Sequence, residues 1–566
     1  MESIEAQIEA LRRQLAKCDT ESVLGMIAYL LVFSKGDLHL ETGLSSPLKQ
    51  LFYLAGLLLT TDDQSQTTAF SRADFQRIAV QLNGIERAYI DTYFDFPANS
   101  QSRSPEWVSF AMFVNYYLTA PLTTPEQVLD RIERWFRPFD KEIAQHLGMS
   151  ATRLIKIYTF VEGEMQRTLD ELVQARGQPR MPETAQRLFK ISRVSLADRF
   201  QGDARTFLEL FSMERSNGAL LYYAGGNPFE QSPLWRMPDD QVFCVYPKAL
   251  LNAIYGLLYR TMESSSHKEN WYRLRDKTME NQSSEILENM LGENAQFFRS
   301  VFEGDDSQKE HDLLVVLGRN LFIVEAKASK MKEPMRDAEK AYVRIRRDFR
   351  SDRGIQKAYD QGLALKQLIQ KQRYTLLYDA RGHVVCTIDS REVDKIFIIC
   401  LTAENWGMVA TNLSFLLKKP DDEPHPWASN VYGLETIADA FAYKNLRPED
   451  FVRYLELREE WHDRLLAADE LEICGLYLRY RNFDALDKER EGYYIPHWRM
   501  SDIFDEIYYN KLGHEYPATG EVLPSPVAVD PSYIRWPDVP AARRELHPVR
   551  ESQQNRRANR RTRKQK

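Results

Sequence analysis

The chain is 566 residues long, 43% apolar and 28% charged, with a formal net charge of −7. That balance belongs to a water-soluble globular protein with length for about three or four domains, and the acidic total excludes nucleic-acid binding through overall charge alone. Five scattered cysteines, Cys18, Cys244, Cys386, Cys400 and Cys474, have no CxxC or Cys/His spacing, so a reduced cytoplasmic protein without structural zinc is expected.

The first residues are acidic and polar, which predicts no signal peptide. The apolar run from Val23 to Phe33 is too short to span a bilayer, so no membrane partner is expected. Residues 1–215 read as a helical domain of unknown role. Met1 to Lys17 is amphipathic, Glu106 to Tyr117 is aromatic-rich, and Thr124 to Phe136 opens with TPEQ, the spacing of a capping box. Met149 to Val173 continues the helical pattern, and a Gly and two prolines break it between Gln174 and Pro182. No sequence period of about 20–50 residues repeats, so no solenoid is expected. Residues 216–275 combine the stretch AGGNPFEQSPLWRMPDD with a short strand and a helix from Lys248 to Met262, and read as a connector packed on residues 276–410. No GxxxxGK[ST] loop is present, so any NTP-driven motor belongs to another chain.

Residues 276–410 carry the chemistry. The stretch 276–296 has helical periodicity, with Met279, Ile286, Leu287, Met290 and Leu291 on one stripe. Glu280 falls inside that stripe, whereas Glu285 and Glu288 fall on the far side, and a carboxylate on a buried face needs a partner. Phe297 to Glu303 reads as a strand. Residues 310–328, EHDLLVVLGRNLFIVEAKA, then form a hairpin: two short apolar runs joined by Gly318-Arg319-Asn320. Two registers are open. With a Gly318-Arg319 turn Asp312 lies opposite Glu325, and with an Arg319-Asn320 turn it faces Lys327. Either way Asp312, Glu325 and Lys327 share one face. Directly opposed Cβ atoms stand only about 5 Å apart, so two carboxylates there call for a cation, and hard oxygen ligands suit Mg²⁺, with Mn²⁺ as a substitute. The bland alternative is a solvated Glu–Lys pair with Asp312 as a strand-entry residue. His311 abuts the group as a candidate base.

From Lys332 to Lys357 there are nine basic and five acidic residues. Arg344, Arg346, Arg347, Arg350 and Arg353 crowd beside the hairpin, as phosphate contacts or as a solvated helix surface. Gly354 to Gln370 reads as a helix, and His383 to Ile388 and Lys395 to Leu401 as strands. Residues 411–545 form a C-terminal helical and loop-rich region. It opens with the loop KKPDDEPHPW, reads as helices or mixed structure over Leu434–Glu460 and Glu470–Tyr480, and holds His462 and His497 as packing residues. Residues 546–566 read as a basic disordered tail, either a non-specific nucleic-acid arm or a solubilising one.

Helix, three strands, helix and two strands, with Asp312 and Glu325-x-Lys327 on the second and third strands, resemble the PD-(D/E)xK nuclease superfamily, nearest in look to nuclease-related (NERD-like) members. The resemblance covers roughly residues 276–405, and His311 stands where the eponymous proline would be. It implies an α/β fold: a restriction-endonuclease-like mixed-sheet core flanked by mainly helical domains. It also implies that Asp312, Glu325, Glu280 and the carbonyl of Ala326 hold Mg²⁺, that Lys327 orients and helps deprotonate the attacking water, and that Gln361, with Gln356 as its rival, contacts substrate. Glu280 as a helix-capping residue and Gln361 as a solvated amide are the plain alternatives.

The expected function is therefore a Mg²⁺-dependent nuclease, an endo- or exodeoxyribonuclease. DNA is the first-choice substrate and RNA the second, since no RNA-reading module is visible. By analogy of fold, it suits bacterial restriction, antiviral defence or DNA repair. The alternatives are a catalytically silent nuclease-fold scaffold or nucleic-acid-binding protein, and a nuclease subunit active only with a partner motor or sensor, as a homo-oligomer or in complex.

Overall fold

Capping chemistry decides where several helices begin. Ser3 Oγ accepts from the Ala6 N–H at the start of α1 (Ile4–Leu15). Further on, Gln127 N–H donates to Thr124 Oγ1 at 3.3 Å while Gln127 Oε1 accepts from Thr124 N–H at 3.1 Å, the capping box that TPEQ predicts. The computed structural model describes residues 3–33, 38–63, 67–93, 105–118, 123–176, 186–304, 309–328, 338–484, 486, 493–514 and 527–529. The expected tail 546–566, part of the 174–182 break and the start of the basic stretch lie outside the described residues.

The N-terminal region is helical, as its periodicity predicts. After α1 come α2 (Thr20–Phe33), α3 (Pro47–Leu59), α4 (Arg72–Tyr93), α5 (Pro105–Phe113), α6 (Pro125–Phe136) and α7 (Ala151–Arg176). A four-stranded mixed sheet comes next, from β1 (Lys190–Ser192), β2 (Ser212–Met213), β3 (Leu234–Arg236) and β4 (Gln241–Cys244), in the order β1-β4-β3-β2. The boundary expected at residue 215 falls inside this sheet. Its strands are two to four residues long, too short for a period-2 pattern to register.

Helices α8 (Pro247–Ser264) and α9 (Lys268–Leu291) lead to the second mixed sheet. Its strands are β5 (Ala295–Phe302), β6 (Glu310–Leu317), β7 (Asn320–Lys327), β8 (Tyr374–Tyr378), β9 (Val384–Asp389), β10 (Lys395–Thr402) and β11 (Trp427–Asn430), in the order β11-β10-β7-β6-β5-β8-β9. Strand β10 runs parallel to β7 and β11, and the other pairs are antiparallel. Helices α10 (Ala338–Phe349) and α11 (Ile355–Lys371) lie between β7 and β8.

Alternation along β6 and β7 divides the core. Leu313, Val315, Phe322 and Val324 cluster with Met279, Ile286 and Leu287 of α9, while Leu314, Leu321 and Ile323 cluster with Leu365 and Ile369 of α11. A helix thus covers each face, as a two-sided apolar sheet requires. A Cβ on Gly362 would stand 2.7 Å from Ile398 Cγ2, so only glycine lets α11 lie this close to the sheet.

In the C-terminal region, α12 (Val431–Tyr443) and α13 (Pro448–Trp461) pack beside β11, and α14 (Glu470–Tyr480) and α15 (Asp502–Lys511) pack against α12. A buried ion pair ties α13, α14 and β11 together: Arg458 Nε donates to Glu470 Oε1 at 2.7 Å, and Trp427 Nε1 donates to the same oxygen at 2.7 Å. His462 is a packing residue, as expected. It is buried, it accepts the Leu413 N–H at 2.8 Å, and it stacks on His425 with centroids 4.5 Å apart. His497 instead caps the turn Trp498–Ser501, accepting the Arg499 N–H. All five cysteines are free. Among the described residues, no helix is long and apolar enough to cross a membrane.

Candidate functional site

The hairpin adopts the first of its two open registers. Leu317 pairs with Asn320 and Leu313 with Val324, so Gly318-Arg319 is the turn. Gly318 takes φ 58° there, which a two-residue turn of the right twist demands. Asp312 therefore sits one step past the Leu313–Val324 pair, opposite Glu325. Parity with Leu321 and Ile323 sends the Glu325 and Lys327 side chains to the α11 face, at the carboxyl end of β7.

There the three residues meet. Lys327 Nζ stands 3.7 Å from Asp312 Oδ2 and 3.5 Å from Glu325 Oε2. Asp312 Oδ2 also accepts the Ala326 N–H at 2.7 Å, which fixes the carboxylate against the strand it faces. Glu325 is 0% exposed, and its Oε2 makes no hydrogen bond. Burial pushes its carboxyl above the ordinary range, the like charge of Asp312 pushes it further, and a hydrogen bond from His311 opposes both. Burial works against the Lys327 ammonium, but Asp312 and Glu325 overcome it and hold the lysine charged.

His311 is not free to act as a base. Its Nδ1 lies 2.8 Å from Glu325 Oε1 and its Nε2 lies 3.1 Å from Glu303 Oε1, with the ring 2% exposed. Glu303 in turn pairs with Lys309 at 3.1 Å. Consecutive residues of an alternating strand would not both reach Glu325, and a local kink makes it possible. Arg299 of β5 donates to Ser284 of α9 on one face, whereas Val301, only two residues later, packs in the α11 cluster on the other. Ser300 between them takes φ 48°, a left-handed conformation uncommon for a residue with a Cβ. The register is the same on both sides of this kink, and His311, paired with Val301, lies toward Glu325 beside Asp312. Glu303 carried no motif in the sequence, so the only advance sign of this chain of contacts was a histidine adjoining Asp312.

Glu280 of α9 approaches without joining. Burial raises its carboxyl, and the charge of Asp312 raises it further. Its Oε2 is held by Lys277 Nζ at 2.9 Å, and that ammonium also donates to Ser300 at 3.0 Å. Gln361 is half-buried on α11 and makes no side-chain hydrogen bond to a described residue. Its rival Gln356 is committed elsewhere: its amide donates to Lys418 O at 2.8 Å and accepts from Lys418 N at 2.8 Å. Of the arginines beside the site, Arg350 donates to Leu416 O at 2.7 Å and Arg353 lies 5.2 Å over the Tyr272 ring, while Arg346 and Arg347 are exposed on α10.

Among the described residues, no group of three or more His, Cys, Asp or Glu side chains that could hold a metal ion occurs. A Mg²⁺ site needs no such cage, since that ion retains waters and takes one or two carboxylates together with substrate phosphate. The buried Oε2 of Glu325, without a hydrogen bond and 3.5 Å from the Lys327 ammonium, fits a hard cation on those terms. Comparison of the chain with protein-family models, with curated proteins and with solved structures finds no match.

Proposed function

We propose that this protein is a Mg²⁺-dependent nuclease with a restriction-endonuclease-like core, hydrolysing phosphodiester bonds in DNA. One observation carries the reading: two carboxylates and a lysine converge at the end of β7, and one of those carboxylates is fully buried with an oxygen that nothing hydrogen-bonds. Buried charge of this kind is costly unless partnered, and such costs concentrate at functional sites. The order α9, β5 to β7, α11, β8 to β10 supports the assignment of the core.

Asp312, Glu325 and the Ala326 carbonyl would hold the cation, with Glu280 behind them. Bound there, the cation supplies charge neutralisation at the scissile phosphate and acidifies the attacking water. Lys327, held protonated by its two carboxylates, donates hydrogen bonds to that water and stabilises the growing negative charge. Asp312 is kept in place by the Ala326 N–H, so the site is built before substrate arrives.

A second reading, a silent core that only binds nucleic acid, is favoured by the Lys327 ammonium, which already stands between the two carboxylates. Incubation of the full chain with plasmid, linear duplex, single-stranded DNA and RNA, in Mg²⁺ or Mn²⁺, separates the two. The nuclease reading expects cleavage that falls by about 10²-fold or more in Asp312→Ala and Lys327→Ala with unchanged circular dichroism. Cleavage retained in both variants, or binding of nucleic acid without cleavage, rejects it.

A further inference from the structure

The interaction that distinguishes this site lies behind the carboxylates. Glu325 has two oxygens in different circumstances. Oε1 is 2.8 Å from His311 Nδ1, while Oε2 is buried, accepts no hydrogen bond and has the Lys327 ammonium 3.5 Å away. A carboxylate on a free rotor would share its oxygens between partners, and here one is pinned. The pin is itself pinned, because His311 Nε2 meets Glu303 Oε1 at 3.1 Å and Glu303 Oε2 meets Lys309 Nζ at 3.1 Å. Both ring nitrogens face carboxylate oxygens. The ring is fixed at both ends, with 2% of its surface exposed.

We infer that His311 is a positioning residue for Glu325, and that Glu303 holds His311, so that Glu325 presents Oε2 alone to a divalent cation. The inference rests on the cation-dependent reading above. The physical logic is that of an outer shell around a metal ligand: a hydrogen bond to the atom not used for ligation sets the direction and basicity of the one that is. The left-handed Ser300 belongs to the same device, because it turns His311 to the face that Glu325 occupies.

The test is a titration of the full chain with Mg²⁺, with and without dimethyl phosphate as an uncut phosphodiester and in the absence of nucleic acid, followed by calorimetry. The unaltered protein is expected to bind Mg²⁺, and Asp312→Asn to abolish the binding. His311→Leu is expected to weaken binding by about 10–100-fold, as loss of an outer-shell partner does, and His311→Gln, which keeps an N–H donor, to recover part of it. Glu303→Ala, which leaves the buried ring in place, covers the case in which His311→Leu fails to fold, and is expected to weaken binding by roughly tenfold. If Glu303→Ala and His311→Gln both fold and bind Mg²⁺ as tightly as the unaltered protein while Asp312→Asn does not, the positioning role is overturned and the cation site stands. If the unaltered protein binds no Mg²⁺ in either solution, the cation reading and this inference fall together.

Discussion

Arg131 donates a hydrogen bond of 3.0 Å from Nη2 to the carbonyl of Ala403. Ala403 comes just after β10, and its own N–H donates to the carbonyl of Lys327 at 3.2 Å. A helix of the N-terminal region is thus one peptide unit away from the lysine of the candidate site. The guanidinium is buried, 4.2 Å over the Tyr432 ring and 5.0 Å over Trp135. The expected result of Arg131→Met is a loss of stability on the order of 3 kcal/mol, from the buried hydrogen bond and the ring contacts, together with weaker Mg²⁺-dependent cleavage. Urea unfolding and a cleavage assay on the same preparation check it. A variant that loses stability but cleaves normally would mean that the contact holds the fold and does not reach Lys327.

Glu325→Gln is expected to separate stability from activity. Burial raises the Glu325 carboxyl, so its charged form opposes folding. In such a group the stabilising contribution is present below the unfolded carboxyl value of about 4.3 and is lost as pH rises through the higher folded value. The neutral amide escapes that loss and can still accept from His311. Thermal melts at pH 8 should give a melting temperature equal to or above that of the unaltered chain, with cleavage down by about 10²-fold or more. A melting temperature lowered by several degrees would show that the charge of Glu325 stabilises the fold.

On α10, two of the arginines differ in kind from a third. Arg346 and Arg347 are exposed, whereas Arg350 is spent on the Leu416 carbonyl. If α10 faces the phosphate backbone, Arg346→Ala and Arg347→Ala each lower the dependence of log binding constant on log salt by about one. Arg350→Ala leaves that slope alone and costs roughly 1–2 kcal/mol of stability. Fluorescence anisotropy of a labelled duplex across a salt series reads the slope, and an unchanged slope in the first two variants removes α10 from the interface.

Outside the candidate site, Glu86 of α4 is buried with no cation beside it among the described residues. It accepts from Tyr223 Oη at 2.6 Å and from Ser46 Oγ at 3.3 Å. Burial, opposed by those hydrogen bonds, pushes its carboxyl up to about 7. The folded value lies above the unfolded one, so its stabilising contribution is full below about pH 4.3 and is lost as pH rises through about 7. A displacement of that size is worth on the order of 3 kcal/mol. Glu86→Gln should flatten the fall in urea midpoint between pH 5 and pH 8. An equally steep fall would assign the pH dependence to other groups.

Much of this protein is legible along the chain. The hairpin and its face, the TPEQ cap, the helix through Glu280 and the long helix carrying Gln361 derive from period, turn residues and capping, all of which act over a few neighbouring residues. For the same reason Asp312, Glu325 and Lys327 can be placed on one face from the residue order alone. What the sequence left open was whatever depends on residues brought together from a distance. It allowed two registers, and the turn geometry of Gly318 chose one. It offered His311 as a base, and Glu303 and Glu325 took both of its nitrogens. It offered Gln356 as a substrate contact, and the loop at Lys418 claimed it. Strands β1 to β4 bridge a boundary expected near residue 215, because their pairing is set by partners some fifty residues apart (Lys190 with Phe243) and not by local alternation. Local physics determined the elements and the face that carries the charges. Burial and long-range pairing decided which oxygen of Glu325 remains without a hydrogen bond, since that depends on what the rest of the fold places behind it.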